Sequence, residues 1–193
     1  NALRLAGLND KMNVLDFSLD PNNRYTFWSG ITGGLFLALS YFGTDQSQDQ
    51  LVYRETDPTY SLWLEESRSK AFIFIRASST ESTEILIIPR KTPLAAPYPL
   101  LARTDQHEYR ARHLNNHFYL LTNDEAPNYR LMRVEAKHAS DQSAWEPVIT
   151  PDPGTFIEDF EVFETFIVTK EIEAGIARLR IYDQSGQPIR DIP

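Results

Sequence analysis

The sequence predicts a mainly β protein: a partial β-propeller of about three four-stranded blades, preceded by an apolar helix. Three observations predict it. From residue 51 onward, short runs rich in β-branched and aromatic residues alternate with polar turns. Three such stretches superpose, with Phe72, Phe118 and Phe166 in equivalent places at spacings of 46 and 48 residues, a period in the range of propeller blades. Ahead of them, residues 25–44 form one uncharged run, YTFWSGITGGLFLALSYFGT, without strand alternation.

Each repeat reads as a strand, a tight polar turn, a strongly apolar strand, a polar loop and a further strand. The first runs from Tyr60, the second from Glu108 and the third from Phe156. One more short strand precedes each unit: Leu51-Val52-Tyr53, Leu100-Leu101-Ala102 and Pro147-Val148-Ile149. That makes four strands per period, as in a propeller blade. Ser69-Lys70 and Asn115-Asn116 occupy hairpin positions, and Pro58, Pro93, Pro97, Pro99, Pro127, Pro151 and Pro153 sit mostly between runs. No apolar stripe of helical period persists beyond two turns. A β-sandwich with coincidental spacing is the competing architecture.

The run over 25–44 predicts a helix, because about 20 uncharged residues match the length that spans a bilayer. Tyr25 and Trp28 near one end and Tyr41 near the other sit where interfacial aromatics belong. Gly30 and Gly34 have the spacing that lets helix backbones approach in lipid. Glycines and hydroxyls dilute the apolarity, which suits the inside of a helix bundle, and a buried helix of a core is the alternative. Membrane contact through residues 25–44 follows as an expectation.

Composition excludes several classes. The chain of 193 residues holds no cysteine, so disulfides, thiolate metal sites and Cys nucleophiles are absent. Its 12% aromatic content excludes a disordered tail. A net charge of −8 lacks the electrostatic footprint of a nucleic-acid binder. The chain opens on Asn, which reads as a fragment or a processed product.

Candidate chemistry is sparse. No G-x-S-x-G pentapeptide is present, so no nucleophile elbow is predicted; Ser185-Gly186 reads as turn chemistry. His113 and His117 have the spacing of a helical metal pair, yet they flank Asn115-Asn116, which favours a hairpin over a metal site. The acidic run Glu158, Asp159, Glu161 and Glu164 either steers basic peptides or forms a solvated blade face. Glu81, Glu84, Glu171 and Glu173 read as loop charges, and Arg178 and Arg180 as alternate residues of a half-buried strand. No catalytic, cofactor-binding or metal-ligating residue is assigned, and no cofactor is expected.

Two resemblances complete the reading. Residues 1–48, with DKMNVLDFSLDPNNRYTFWSGITGGLFLALSYFGTDQSQ, resemble a transmembrane segment of sodium/solute symporters, down to Phe42-Gly43-Thr44-Asp45-Gln46-Ser47-Gln48. The match fails at Asp49 and at Leu51, where the symporter pattern has an apolar residue and an arginine. Residues 49–193 resemble the N-terminal propeller of the prolyl oligopeptidase family, on the oligopeptidase B branch. The resemblance rests on DQLVYRETDPTYSLWLEESRSKAFIFI, STEILII, WEPVI, GTFIEDFEVF and VTKEIEAGIARLRIYD, and above all on the T-N-x-x-A-x-N-x-x-L stretch from Thr122 to Leu131. It implies a fragment of a serine oligopeptidase whose propeller gates peptide access to a C-terminal α/β-hydrolase domain carrying Ser, Asp and His. It also implies peptide substrates, basic ones in particular, and a cytoplasmic or periplasmic setting. A symporter fragment in a membrane, or a non-catalytic interaction module, are the alternatives.

Overall fold

In a computed structural model the described residues are 25–30, 35–41, 45, 48–150 and 152–192. They form four antiparallel sheets and no α-helix. The first sheet is β1 (Tyr25–Gly30), β2 (Leu35–Tyr41) and β3 (Gln50–Glu55). The second is β4 (Ser61–Glu66), β5 (Phe72–Ser78), β6 (Thr83–Pro89) and β7 (Tyr98–Leu101). The third holds β8 (Tyr109–Leu114), β9 (His117–Thr122), β10 (Arg130–Glu135) and β11 (Glu146–Ile149). The fourth holds β12 (Thr155–Val162), β13 (Ile167–Glu173), β14 (Ile176–Tyr182) and β15 (Pro188–Ile192). Strands follow one another in order within every sheet.

The middle strands explain the stacking. In β5, Ile73 and Ile75 face Val52 and Tyr53 of the first sheet, while Phe74 turns the other way onto Tyr109, Phe118 and Leu120. In β9, Phe118 and Leu120 face back, and Tyr119 and Leu121 face forward onto Ile157, Phe160 and Ile167. A strand buried on both faces is apolar at successive positions rather than at alternate ones, hence FIFI, ILII and FYLL. The core is therefore three apolar seams between four sheets, the arrangement of consecutive propeller blades.

Local sequence sets the hairpins. Asn115 takes φ 54° in the two-residue turn that pairs Leu114 with His117. Ala174 and Gly175, at φ 49° and 80°, form the turn between β13 and β14, the doubly left-handed geometry that matches strand twist. Gly186 has φ 82°, and a Cβ there would lie 1.7 Å from the Val148 carbonyl oxygen. Only glycine lets this turn rest on β11. The last strand of each four-stranded sheet carries a proline, Pro99 in β7, Pro147 in β11 and Pro188 in β15, and each lies beside a register shift. Proline lacks the ladder N–H and is tolerated at such an edge.

Three expectations are corrected. The apolar helix over 25–44 is replaced, in its described parts, by β1 and β2, which pair with each other and then with β3. Residues 31–34 and 42–44, with Gly34 and most of the symporter-like F-G-T-D-Q stretch, lie outside the described residues, as do 1–24. Among the described residues no helix is long and apolar enough to cross a membrane. An uncharged run fits a strand buried on both faces as well as it fits a helix. Second, the short strands at 51–53, 100–102 and 147–149 close the preceding sheet instead of opening the next. Third, Phe72, Phe118 and Phe166, expected to be equivalent and all well buried, lie at or just ahead of the start of the second strand of their sheets but not at one depth. Phe118 is fully buried, whereas Phe72 and Phe166, the latter just ahead of β13, are half-buried.

Candidate functional site

The first strands of three successive sheets converge on a cavity of about 420 Å³. It is lined by Glu65 and Glu66 of β4, Arg68 of the turn that follows, Ala111 and Arg112 of β8, and Glu161 of β12. Strand alternation places these groups. Tyr109, Ala111 and His113 of β8 point into the seam with the second sheet, which leaves Arg110 and Arg112 on the other face, against β12.

There the arginines meet the acidic run. Arg110 Nη1 donates to the Glu158 carbonyl at 2.7 Å and pairs with Asp159 at 3.4 Å. Arg112 Nε donates to Glu161 Oε1 at 2.9 Å, and Arg68 Nη1 lies 3.6 Å from Glu161 Oε2. Glu158 pairs with Lys170 at 2.9 Å. Three of the four acidic residues thus have cationic partners; Glu164 is exposed in the turn between β12 and β13. The run is a cross-blade ion-pair network, not a bare acidic steering patch.

Two further ionic clusters hold Glu84, Glu171 and Glu173, which lie in strands rather than in the expected loops. Glu171, in β13, is 0% exposed. Its Oε1 accepts from Tyr182 Oη at 2.5 Å and Thr169 Oγ1 at 2.7 Å, and Arg180 Nη1 lies 3.3 Å from Oε2. Burial, then the bond to Glu171, pushes the Tyr182 phenol up to about 12. Glu173 is in the same strand and pairs with Arg178. Glu84, in β6, shares Arg103 with the buried Glu55 of β3, at 3.3 and 2.6 Å. Burial alone would raise the Glu55 carboxyl; bonds from Arg103, the Asp57 N–H and Tyr53 Oη bring it below its ordinary range. Glu81 alone of the four lies in a loop. The signal that was available is alternation: Thr169 and Glu171 follow Ile167 at every second position, and register sets Arg178 and Arg180 beside them.

His107 and His113 are buried and hydrogen-bonded within the fold. His113 Nδ1 lies 2.7 Å from Ser69 Oγ across the second seam, with the ring against Phe72 and Phe118. His107 Nε2 lies 2.7 Å from Thr122 Oγ1. His113 and His117 flank a hairpin, as expected, and among the described residues no group of three metal-ligating side chains forms. Burial, with a smaller contribution from His117, pushes His113 down to about 4, and burial also lowers His107. A depressed histidine stabilises the fold above its unfolded value near 6.5, and that stability is lost as pH falls toward the folded value. Urea midpoints are expected to drop between pH 6.5 and 4, with His113 accounting for about 2–3 kcal/mol. His113→Gln should flatten the drop; a profile that keeps the wild-type slope between those limits would refute this assignment.

The stretch from Thr122 to Leu131 fastens neighbouring loops. Asn123 Oδ1 accepts the Glu108 N–H at 2.9 Å, and Asn128 Nδ2 donates to the Pro153 carbonyl at 2.8 Å. Ala126 and Leu131 are buried.

Sheets of four antiparallel strands stacked through apolar seams define a propeller segment without a nucleophile elbow. Residues 37–193 match the family described as prolyl oligopeptidase, N-terminal beta-propeller domain, and the chain belongs to that family. It is 33% identical over 148 residues to the dipeptidyl aminopeptidase BI of Pseudoxanthomonas mexicana, covering 75% of this chain and 20% of that protein. Its fold matches oligopeptidase B from Leishmania major with a TM-score of 0.79 at 20% identity, over 89% of this chain and 26% of that one. The chain spans about a fifth of the length of the curated relatives it matches. A stretch of 48 residues is 44% identical to the human sodium/iodide cotransporter, 25% of this chain and 8% of that one. The family match begins inside β2.

Proposed function

We propose that this chain forms part of the filter through which peptides reach the catalytic site of a serine oligopeptidase. The observation that carries the reading is the family match over 37–193, lying on three four-stranded sheets stacked face to face. The propeller portion runs over 49–193, and strand pairing joins β1 and β2 to it. A C-terminal α/β-hydrolase domain of the same protein supplies the nucleophile, base and acid, because the sequence of this chain holds no G-x-S-x-G nucleophile elbow. Peptides are the substrates, and basic ones are the class that the oligopeptidase B likeness favours. The chain's own residues shape and charge the passage: Arg68, Arg110, Arg112, Asp159 and Glu161 bind the first strands together across the seams. Leu179 and Ile192, on the face of the fourth sheet turned away from its packed seam, are exposed. Apolar residues on such a face fit a further blade.

The purified chain is expected to leave a fluorogenic dibasic peptide uncleaved. A protein carrying the chain together with the hydrolase domain should cleave that peptide and spare the same sequence displayed on a folded domain. Phosphonate-sensitive turnover by the chain alone would overturn the assignment of chemistry to another domain. Equal cleavage of the free and the displayed sequence, or no peptidase activity in the larger protein, would overturn the filter.

A further inference from the structure

A hydrogen-bond relay between the second and third sheets runs through an exposed serine. Ser67, 3% exposed, lies in the turn between β4 and β5, and its Oγ accepts the Phe72 and Ala71 N–H groups at 3.0 and 3.2 Å. A hydroxyl has two acceptor sites and a single proton. With both acceptor sites taken, the Ser67 proton is directed to Ser69 Oγ, 3.0 Å away. Ser69 Oγ also accepts the Ala71 N–H at 3.3 Å, so its own acceptor sites are filled as well. Its one proton is left for His113 Nδ1, at 2.7 Å. The network thereby fixes the imidazole tautomer: Nδ1 accepts, and Nε2 carries the hydrogen.

This is the polarity of a nucleophile and its base: a hydroxyl in an exposed hairpin, aimed at an unprotonated ring nitrogen within hydrogen-bond reach. The two residues belong to different sheets, so only packing brings them together. The orienting part that a carboxylate plays in a catalytic triad falls here to the rings of Phe72 and Phe118, 4.7 and 4.8 Å from the imidazole. Arg68 and Lys70, the chain neighbours of Ser69, are exposed cations and set positive charge beside a developing oxyanion. We propose that Ser69 is an acyl-accepting residue, modified by activated esters while His113 takes its proton. In that step Ser69 Oγ bonds to the acyl carbon and its proton passes to His113 Nδ1. The ester C–O bond breaks with its electron pair on the leaving oxygen, which then carries the proton away from the imidazole. The burial that pushes His113 down to about 4 leaves the ring unprotonated at neutral pH. It also makes the ring a weak base, which puts the gain at the low end for general-base assistance, about 100-fold. Such a base suits a leaving group that departs readily as an anion; the amide of a peptide lies outside that class. The inference is independent of the peptide-filter reading.

The test is labelling of the full chain with p-nitrophenyl acetate at neutral pH, read by intact mass and by peptide mapping. One acetyl group per chain is expected on Ser69, with release of one equivalent of p-nitrophenolate. Ser140 is the internal reference: it is exposed too, but its hydroxyl donates to the Pro99 carbonyl instead of to a base. Ser69 should acetylate about 100-fold faster than Ser140. Ser69→Ala should remove the label, and His113→Gln should slow it to the Ser140 rate. Because His113→Gln replaces a buried ring, the ¹⁵N shifts of His113 in the unmodified chain supply a reading that needs no variant: Nδ1 should be of the unprotonated type and Nε2 of the protonated type. Acetylation confined to lysines, equal rates at Ser69 and Ser140, or a protonated Nδ1 would overturn the proposal.

Discussion

Phe118→Ala is expected to destabilise the chain by about 3–5 kcal/mol, the range for truncating a buried phenylalanine whose site cannot collapse. The ring is 0% exposed and sits in the seam between the second and third sheets. Its centroid lies 5.0 Å from Phe72, 6.1 Å from Phe74 and 4.8 Å from His113. Two sheets hold the walls of the resulting cavity apart, so relaxation is limited. Phe72→Ala and Phe166→Ala should cost less, about 1–2 kcal/mol, because both rings are half-buried already and lose less apolar area. Urea denaturation of the three variants checks the ranking. Equal losses in all three would mean that the repeat places them at one depth after all.

Glu171→Ala is expected to cost about 3 kcal/mol, the lower end of the range for breaking a buried ion pair from one side. The carboxylate organises its neighbours: without it the Tyr182 and Thr169 hydroxyls lose their acceptor and Arg180 its buried counter-charge. The loss stays at the low end because Arg180 keeps Asp191 at 2.6 Å and Arg178 keeps Glu173. Glu171→Gln preserves an acceptor for the hydroxyls and should cost about half as much. High salt should change neither value much, since the group is fully buried and poorly screened. An alanine variant within about 1 kcal/mol of the parent would show that the cluster is peripheral to stability.

What the sequence reveals follows the range of each cause. The hairpins at Ser69-Lys70 and Asn115-Asn116 are legible because a turn is set by two or three adjacent residues. The apolar middle strands are legible because burial on both faces leaves successive apolar residues. A succession of apolar residues misleads at residues 25–44, where Leu35, Phe36, Leu37 and Leu39 suit a helix and a strand alike; the pairing of Leu37 with Tyr53 settles the outcome. The grouping of strands into sheets is set by pairings between distant residues. A period of 46 or 48 residues therefore fixes the unit but not where it begins. For the site, the acidic run is visible, but its partners Arg68, Arg110 and Arg112 belong to two earlier sheets. Only packing brings them to Asp159 and Glu161.

The prolines of the outermost strands bear on how such an array can lengthen. Pro99, Pro147 and Pro188 interrupt the row of donors along the rim of three consecutive sheets. A strand arriving from outside finds an incomplete template there. Lateral accretion, the route by which exposed β-edges recruit strangers, is discouraged around the circumference. Enlargement is left to the flat faces, where a whole sheet must arrive already assembled. Genetic duplication in such a molecule should therefore succeed in steps of a complete unit. Duplicating a single strand would leave it with no edge to join.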